Sequence, residues 1–341
     1  MNIERRLVRK SQLEKLFGII KGSGRKVYAP FTRNGKTSFR NIEDFSEIAV
    51  GYIQTTQSSK EVSFPRTEKI LDFSKDEQGI SVKGRDLGGF KESILWGVRP
   101  CDAMGIGQLS SIFNWDYSDE IYNSRLSKVT VISFSCIKAD EYCFCTSVGG
   151  NPGNTTGNDI LFTQMGENGD YLAEIITEKG AMVVSLAPDL FEPAENVEKE
   201  KYLAGVPVRF SREEITGKLE KIFESPEWVK LSLKCIGCGA CAYVCPTCAC
   251  FDIQDEAHGK SGLRVRCWDS CGFSLFTRHT SGHNPREVQS QRWRQRIMHK
   301  FSYMPERLSV YGCTGCGRCS RACPADMNIL EHLITIKEAE V

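Results

Sequence analysis

The sequence predicts an α/β or α+β domain over residues 1–225, followed by an all-α domain over 226–341. Three observations carry that division. Strand-like apolar runs alternate with helical patterns as far as about residue 210. A capping box at Ser211 and Glu214 then opens a helix through Ile215, Leu219, Ile222 and Phe223, ending near Pro226. Beyond it strand signals fade and cysteines crowd together. A chain of 341 residues is also long for a single core.

Ser11 and Glu14 read as a first capping box, ahead of the apolar face Leu13, Leu16, Phe17 and Ile20. The turn Gly22-Ser23-Gly24 leads into a strand at Lys26-Val27-Tyr28, and residues 31–60 are polar and weakly patterned. Ile94 to Val98 is an apolar run broken by Arg99-Pro100-Cys101-Asp102, with a helix through Met104, Leu109 and Ile112 after it. Val129 to Phe134 is a β-branched strand ending just before Cys136, and Met182 to Leu186 reads as another strand. In the second part, residues 286–300 and 328–339 carry helical patterns.

Charge and composition exclude some roles. The net charge of +1 gives no pull toward nucleic acid or a membrane surface. The N-terminus, MNIERRLVRKSQLEK, lacks the apolar stretch of a secretory signal, and no apolar run reaches the roughly 18 residues of a membrane span. A cytoplasmic protein is expected. No G-x-G-x-x-G follows a strand and no phosphate-binding G-x-x-x-x-G-K-[ST] occurs, so dinucleotide chemistry is expected elsewhere.

Sixteen cysteines stand out. In a reducing compartment, grouped cysteines bind metal more often than they form disulfides. Residues 235–246 read CIGCGACAYVCP and residues 313–324 read CTGCGRCSRACP. Both are the C-x₂-C-x₂-C-x₃-C-P run of two-cluster ferredoxins. Three closely spaced thiolates wrap one cubane, the glycines relieve the tight curl, and the proline turns the fourth cysteine away. That fourth cysteine serves the other cluster. One cluster is therefore expected on Cys235, Cys238, Cys241 and Cys323, and the other on Cys313, Cys316, Cys319 and Cys245. Zinc needs only four ligands, so the doubled run with its glycines and prolines is surplus to it. Cys241, Cys245 and Cys248 also spell C-x₃-C-x₂-C, a by-product of Cys248 following a complete ferredoxin run. The long insert 247–312 does not fit a compact βαββαβ ferredoxin, which favours an α-helical ferredoxin-like arrangement.

Cys101, Cys136, Cys143 and Cys145 form a looser group. Cys101 and Cys136 each follow a predicted strand, and the carboxyl ends of parallel strands are where open α/β sheets build sites. On spacing alone a third cubane and a set of buried thiols stand equal. Cys248, Cys250, Cys267 and Cys271 have no assigned role; buried thiols are the default and a further metal site the alternative. His279 and His283 read as polar loop residues. Arg286, Arg292, Arg294, Arg296 and Lys300 read as a solvated helix face, or as cations that stabilise a reduced cluster.

The segments GVRPCDAMGI (97–106), CIKADEYCFCTSVGGNP (136–152), CPTCACFD (245–252), RCWDSCGF (266–273) and SGHNPRE (281–287) resemble a family of dicluster iron–sulfur subunits. That family serves anaerobic sulfite reductase and, as the beta subunit, soluble NiFe sulfhydrogenase. The resemblance covers roughly residues 25–335, with Cys267 standing where the pattern has no fixed cysteine. It implies a third [4Fe–4S] cluster on Cys101, Cys136, Cys143 and Cys145. It also implies an electron-transfer subunit without catalytic residues of its own. Such a protein links a flavin-containing, NAD(P)H-handling partner to a catalytic partner of the hydrogenase or sulfite/sulfur reductase type. The rival expectation is a catalytic reductase whose N-terminal cluster binds a small substrate.

Overall fold

A computed structural model describes residues 3–167, 169–194 and 197–339. Its strands, in chain order, are β1 (Glu4–Val8), β2 (Lys26–Arg33), β3 (Lys36–Asn41), β4 (Thr67–Asp76), β5 (Gly79–Gly84) and β6 (Ser93–Val98). They continue with β7 (Val129–Phe134), β8 (Ile160–Gln164), β9 (Tyr171–Ile175), β10 (Glu192–Pro193), β11 (Phe251–His258) and β12 (Ser261–Trp268).

The larger sheet has the order β10-β1-β9-β8-β7-β6-β2-β3. Its centre, β8-β7-β6-β2, is parallel, and its flanks are antiparallel. Parallel strands are covered on both faces and so read as unbroken apolar runs; every residue of β6, SILWGV, is buried. Ile94 and Trp96 share a core with Leu16, Phe17 and Ile20 of the helix Leu13–Gly22. Leu95 faces the other way, with Ala103 and Ile106 of the helix Pro100–Phe113. The register of β6 against β7 shifts between Trp96 and Val98, at Gly97, just before the chain turns to Cys101.

The strands expected at Lys26, Ile94 and Val129 form as β2, β6 and β7, and the helix after Cys101 forms. The strand expected at Met182–Leu186 does not. Thr177 caps a helix, Glu178–Ser185, whose Val183 is buried while Met182 is exposed. A short apolar run does not by itself reveal its period. The capping box at Ser11 is also absent, because the chain enters through a 3₁₀ turn, Lys10–Gln12, tied to Asp170 by the Lys10 amide at 2.9 Å. The Ser211–Glu214 box forms, with the Glu214 amide donating to Ser211 Oγ at 3.2 Å and the Ser211 amide to Glu214 Oε2 at 2.7 Å.

The smaller sheet corrects the expectation of an all-α second part. It is antiparallel with the order β11-β12-β4-β5, so strands from residues 67–84 and 251–268 share one ladder. The spans 1–225 and 226–341 therefore meet through main-chain hydrogen bonds. Buried Glu68 on β4 reinforces the joint by accepting from Arg266 Nη2 on β12 at 2.6 Å. The first span is also richer in sheet than strand–helix alternation implies, because β1–β10 all lie in it. Outside the hairpin the second span is helical, with Arg212–Lys221, Glu227–Ser232, Gln289–Met298 and Ile329–Glu338 packed around Trp228, Trp293, Ile297, Phe301 and Leu333. The helix over 289–298 continues through a wider turn, His299–Tyr303, into Met304–Leu308.

Candidate metal centres

The two four-cysteine runs adopt the same backbone. Gly237 and Gly239 have φ of 68° and 73°, and Gly315 and Gly317 have 65° and 67°. These left-handed turns curl the chain so that successive cysteines face inward, and a short helix follows each one, Ala240–Tyr243 and Arg318–Arg321. A Cβ on Gly315 or Gly317 would run into the backbone of Phe144–Cys145 or of Tyr142. The second run is thus pressed against the loop that carries Cys143 and Cys145, and the Phe144 amide donates to the Gly315 carbonyl at 2.9 Å.

Each run supplies three thiols to one cavity and a fourth to the other. The first cavity is lined by Cys235, Cys238 and Cys241, with Cys323 from the second run and Cys319 at its wall. The second is lined by Cys313, Cys316 and Cys319, with Cys245 from the first run. Arg296 lines both. Among the described residues no three Cys, His, Asp or Glu side chains converge as one metal ion requires. Thiols spread around a cavity suit a multi-iron cluster and not a tetrahedral zinc ion.

Donors reach the sulfurs from several elements. Gln289 Nε2 donates to Cys235 Sγ at 3.0 Å, the Met327 amide to Cys323 Sγ at 3.3 Å and the Gly315 amide to Cys313 Sγ at 3.4 Å. Lys300 Nζ donates to Cys245 Sγ at 3.4 Å. Burial pushes the Cys241 thiol up to about 12 and the Cys316 thiol up to about 11. Cys245 goes the other way: a hydrogen bond from Cys248, then Lys300 and Arg296, hold it well below an ordinary thiol. Burial opposes the charge on Lys300, but Cys245 and Cys248 outweigh it and raise its pKa.

Cys101, Cys136, Cys143 and Cys145 also come together. Cys101 lies in the first turn of the helix after β6, Cys136 just beyond β7, and Cys143 and Cys145 in the loop between β7 and β8. Burial drives Cys101 well up, followed by the charges of Asp102, Cys316 and Cys136. Cys145 is pushed up to about 12 by burial, then by Cys136 and Cys143. Gln54 Nε2 donates to Cys101 Sγ at 3.1 Å, and Arg321 Nη2 to Cys143 Sγ at 3.4 Å. Arg318, one residue beyond Gly317, forms a buried ion pair with Asp102 next to Cys101. This third group abuts the second run, since the Phe144 amide donates to the Gly315 carbonyl and Arg318 pairs with Asp102 beside Cys101.

A model of the 4Fe-4S dicluster domain matches residues 234–327, the stretch that holds both runs and the insert between them. That match, together with the likeness that follows, supports a dicluster iron–sulfur protein. The chain is 28% identical over 332 residues to sulfhydrogenase 2 subunit beta of Pyrococcus furiosus, covering 95% of this chain and 96% of that protein. The likeness therefore extends well outside the cysteine runs. No solved structure matches. No helix among the described residues is long and apolar enough to cross a membrane. The donor set and the matched domain agree on [4Fe–4S] clusters.

Sequence reasoning missed the neutral donors Gln54 and Gln289 and the buried Lys60, whose Nζ donates to the carbonyls of Ala242 at 3.2 Å and Cys248 at 2.9 Å. It named Arg296 and Lys300 without settling their role. They are buried, on the side of their helix that carries Trp293 and Ile297. That i, i+3, i+4, i+7 stripe was the available signal. His279 and His283 lie exposed in a loop, where the His279 amide donates to the His283 carbonyl at 2.8 Å.

Proposed function

We propose that this chain is a cytoplasmic electron-transfer subunit with three [4Fe–4S] clusters in a row. The outer clusters are held by Cys235, Cys238, Cys241 and Cys323, and by Cys101, Cys136, Cys143 and Cys145. The middle one is held by Cys313, Cys316, Cys319 and Cys245. The supporting observation is adjacency: the first and second cavities share Cys319 and Arg296, and the second run packs on the third group where Gly315 meets Phe144–Cys145 and Arg318 pairs with Asp102 beside Cys101. When bound, each cluster supplies a site for one electron at a time.

The chain's own residues bind, bury and tune. Lys300 and Arg296 place positive charge at the middle cavity, which favours the more negative, reduced state of whatever group the thiolates hold. Gln289 and Gln54 place neutral donors on one sulfur of each outer group. No acid, base or nucleophile is required of this chain. At one end of the row Cys238 is exposed and Ile236 beside it is 69% exposed, with Leu233 and Val229 also open. Such an apolar rim suits a partner protein.

Likeness to a sulfhydrogenase beta subunit supports a hydrogenase-type catalytic partner; a sulfite/sulfur-reducing partner in its place, and a flavin-containing, NAD(P)H-handling partner at the other end, complete the proposal. The test is iron per chain on the anaerobically purified full-length protein. Cys101→Ser should lower it by about four relative to the parent, one cubane's worth, while the two ferredoxin-type signals in EPR remain. Unchanged iron would return Cys101, Cys136, Cys143 and Cys145 to buried thiols and shorten the row to two.

A further inference from the structure

Three more thiols meet at a separate cavity. Cys248 and Cys250 follow Pro246 in the loop that leaves the first run, and Cys271 follows β12. All three line one cavity with Arg296, Lys300 and His299. The Asp269 amide donates to the Cys250 carbonyl at 2.9 Å, which pins the Cys271 loop against Cys250. None of the three lines the first or second cavity.

The charges around this cavity are unbalanced. Lys60, Arg296 and Lys300 are 3%, 3% and 4% exposed, and none has a carboxylate partner among the described residues. Other deeply buried cations do: Arg318 pairs with Asp102, Arg266 with Glu68, and Lys199 with Glu174. Arg296 and Lys300 line this cavity as well as the middle one, with Lys60 behind Cys248, so three buried cations without a carboxylate favour anionic charge on both sides of Arg296 and Lys300. Lys60 Nζ sits on the Cys248 carbonyl, 4.0 Å from the Trp268 ring centre, and Arg296 Nη1 approaches Cys248 Sγ at 3.6 Å. Arg296 Nε is buried without a partner. The thiols do not converge as a single ion would need. A larger anionic group that spans them meets both conditions.

We propose that Cys248, Cys250 and Cys271 bind an additional iron–sulfur cluster through three thiolates, beside the middle cavity and with Arg296 and Lys300 as its counter-charges. His299, an exposed residue, also lines this cavity. Cys267, paired with Asp252 across the hairpin, is not part of the cavity and serves as a control.

The test uses the full chain purified anaerobically. Brief alkylation of the native holoprotein, read by peptide mass spectrometry, should leave Cys248, Cys250 and Cys271 protected and Cys267 modified. After cluster removal by an oxidant and chelator, all four should react. The double variant Cys250→Ala/Cys271→Ala should lose about three to four irons per chain and no zinc, and keep the iron that Cys101→Ser removes. Prompt alkylation of Cys250 and Cys271 in a holoprotein whose other ligands stay protected would overturn the proposal. So would unchanged iron in the variant, or stoichiometric zinc. The alkylation map decides the matter even if the variant does not fold.

Discussion

The two cysteine runs have the same spacing and the same pair of left-handed glycines, yet they sit in different surroundings. The first faces outward, with Cys238 exposed, and its Cys235 sulfur accepts from the neutral Gln289. The second is sealed, with Cys313 and Cys316 buried, the loop over 142–145 pressed on its glycines, and the cation Lys300 on the partner thiol Cys245. The shared motif builds a thiol-lined turn, while the neighbours decide how wet, how charged and how accessible that turn is. In the proposed electron-transfer role, the first run would meet a partner and the second would relay inward.

The largest expected contrast lies in the glycines. Gly315→Ala puts a methyl group into the backbone of Phe144 and Cys145, whereas Gly237→Ala meets chiefly the mobile end of Gln289. Gly237→Ala should cost about 1–2 kcal/mol, the left-handed strain alone. Gly315→Ala should cost about 4 kcal/mol or more and shed iron from the middle and third groups. Anaerobic denaturant unfolding with iron analysis checks both, and equal costs would break the comparison.

Charge gives the next contrast. Lys300→Met should lower the potential of the middle cluster by on the order of 60 mV, a tenfold change in a one-electron equilibrium, because the reduced state loses a buried cation. Gln289→Leu removes only a neutral donor and should move the first cluster less. Redox titration followed by EPR measures each shift; a larger effect from Gln289 would reverse the assignment of environments.

The smallest structural effect belongs to the rim. Ile236→Glu, at an exposed site, should leave iron content and stability within about 0.5 kcal/mol of the parent. It should slow electron exchange with the partner that docks there, as stopped-flow reduction would show. Unaltered exchange with both partners would move the docking site away from Cys238.

Legibility in the sequence tracked how local each signal is. The ferredoxin-type runs, the apolar strands β6 and β7 and the Ser211 box depend on near neighbours, and they were readable. β11 was not: every residue of FDIQDEAH is exposed, and it forms a strand because β12, itself held by β4, offers it a ladder, not because it has a face to bury. Gln54 lies in a weakly patterned stretch and acquires its contact to Cys101 only through folding. The helix bearing Arg296 and Lys300 has an ordinary basic composition. Its meaning changes once those side chains turn inward to thiols far away in sequence.

The central claim is that the two runs exchange their fourth cysteines, and EPR of single Cys→Ser variants of the full chain tests it most directly. Cys323→Ser should perturb the same signal as Cys238→Ser, and Cys245→Ser the same signal as Cys316→Ser. If Cys323→Ser instead tracks Cys316→Ser and leaves the Cys238 signal untouched, each run holds its own cluster and the crossed arrangement is wrong.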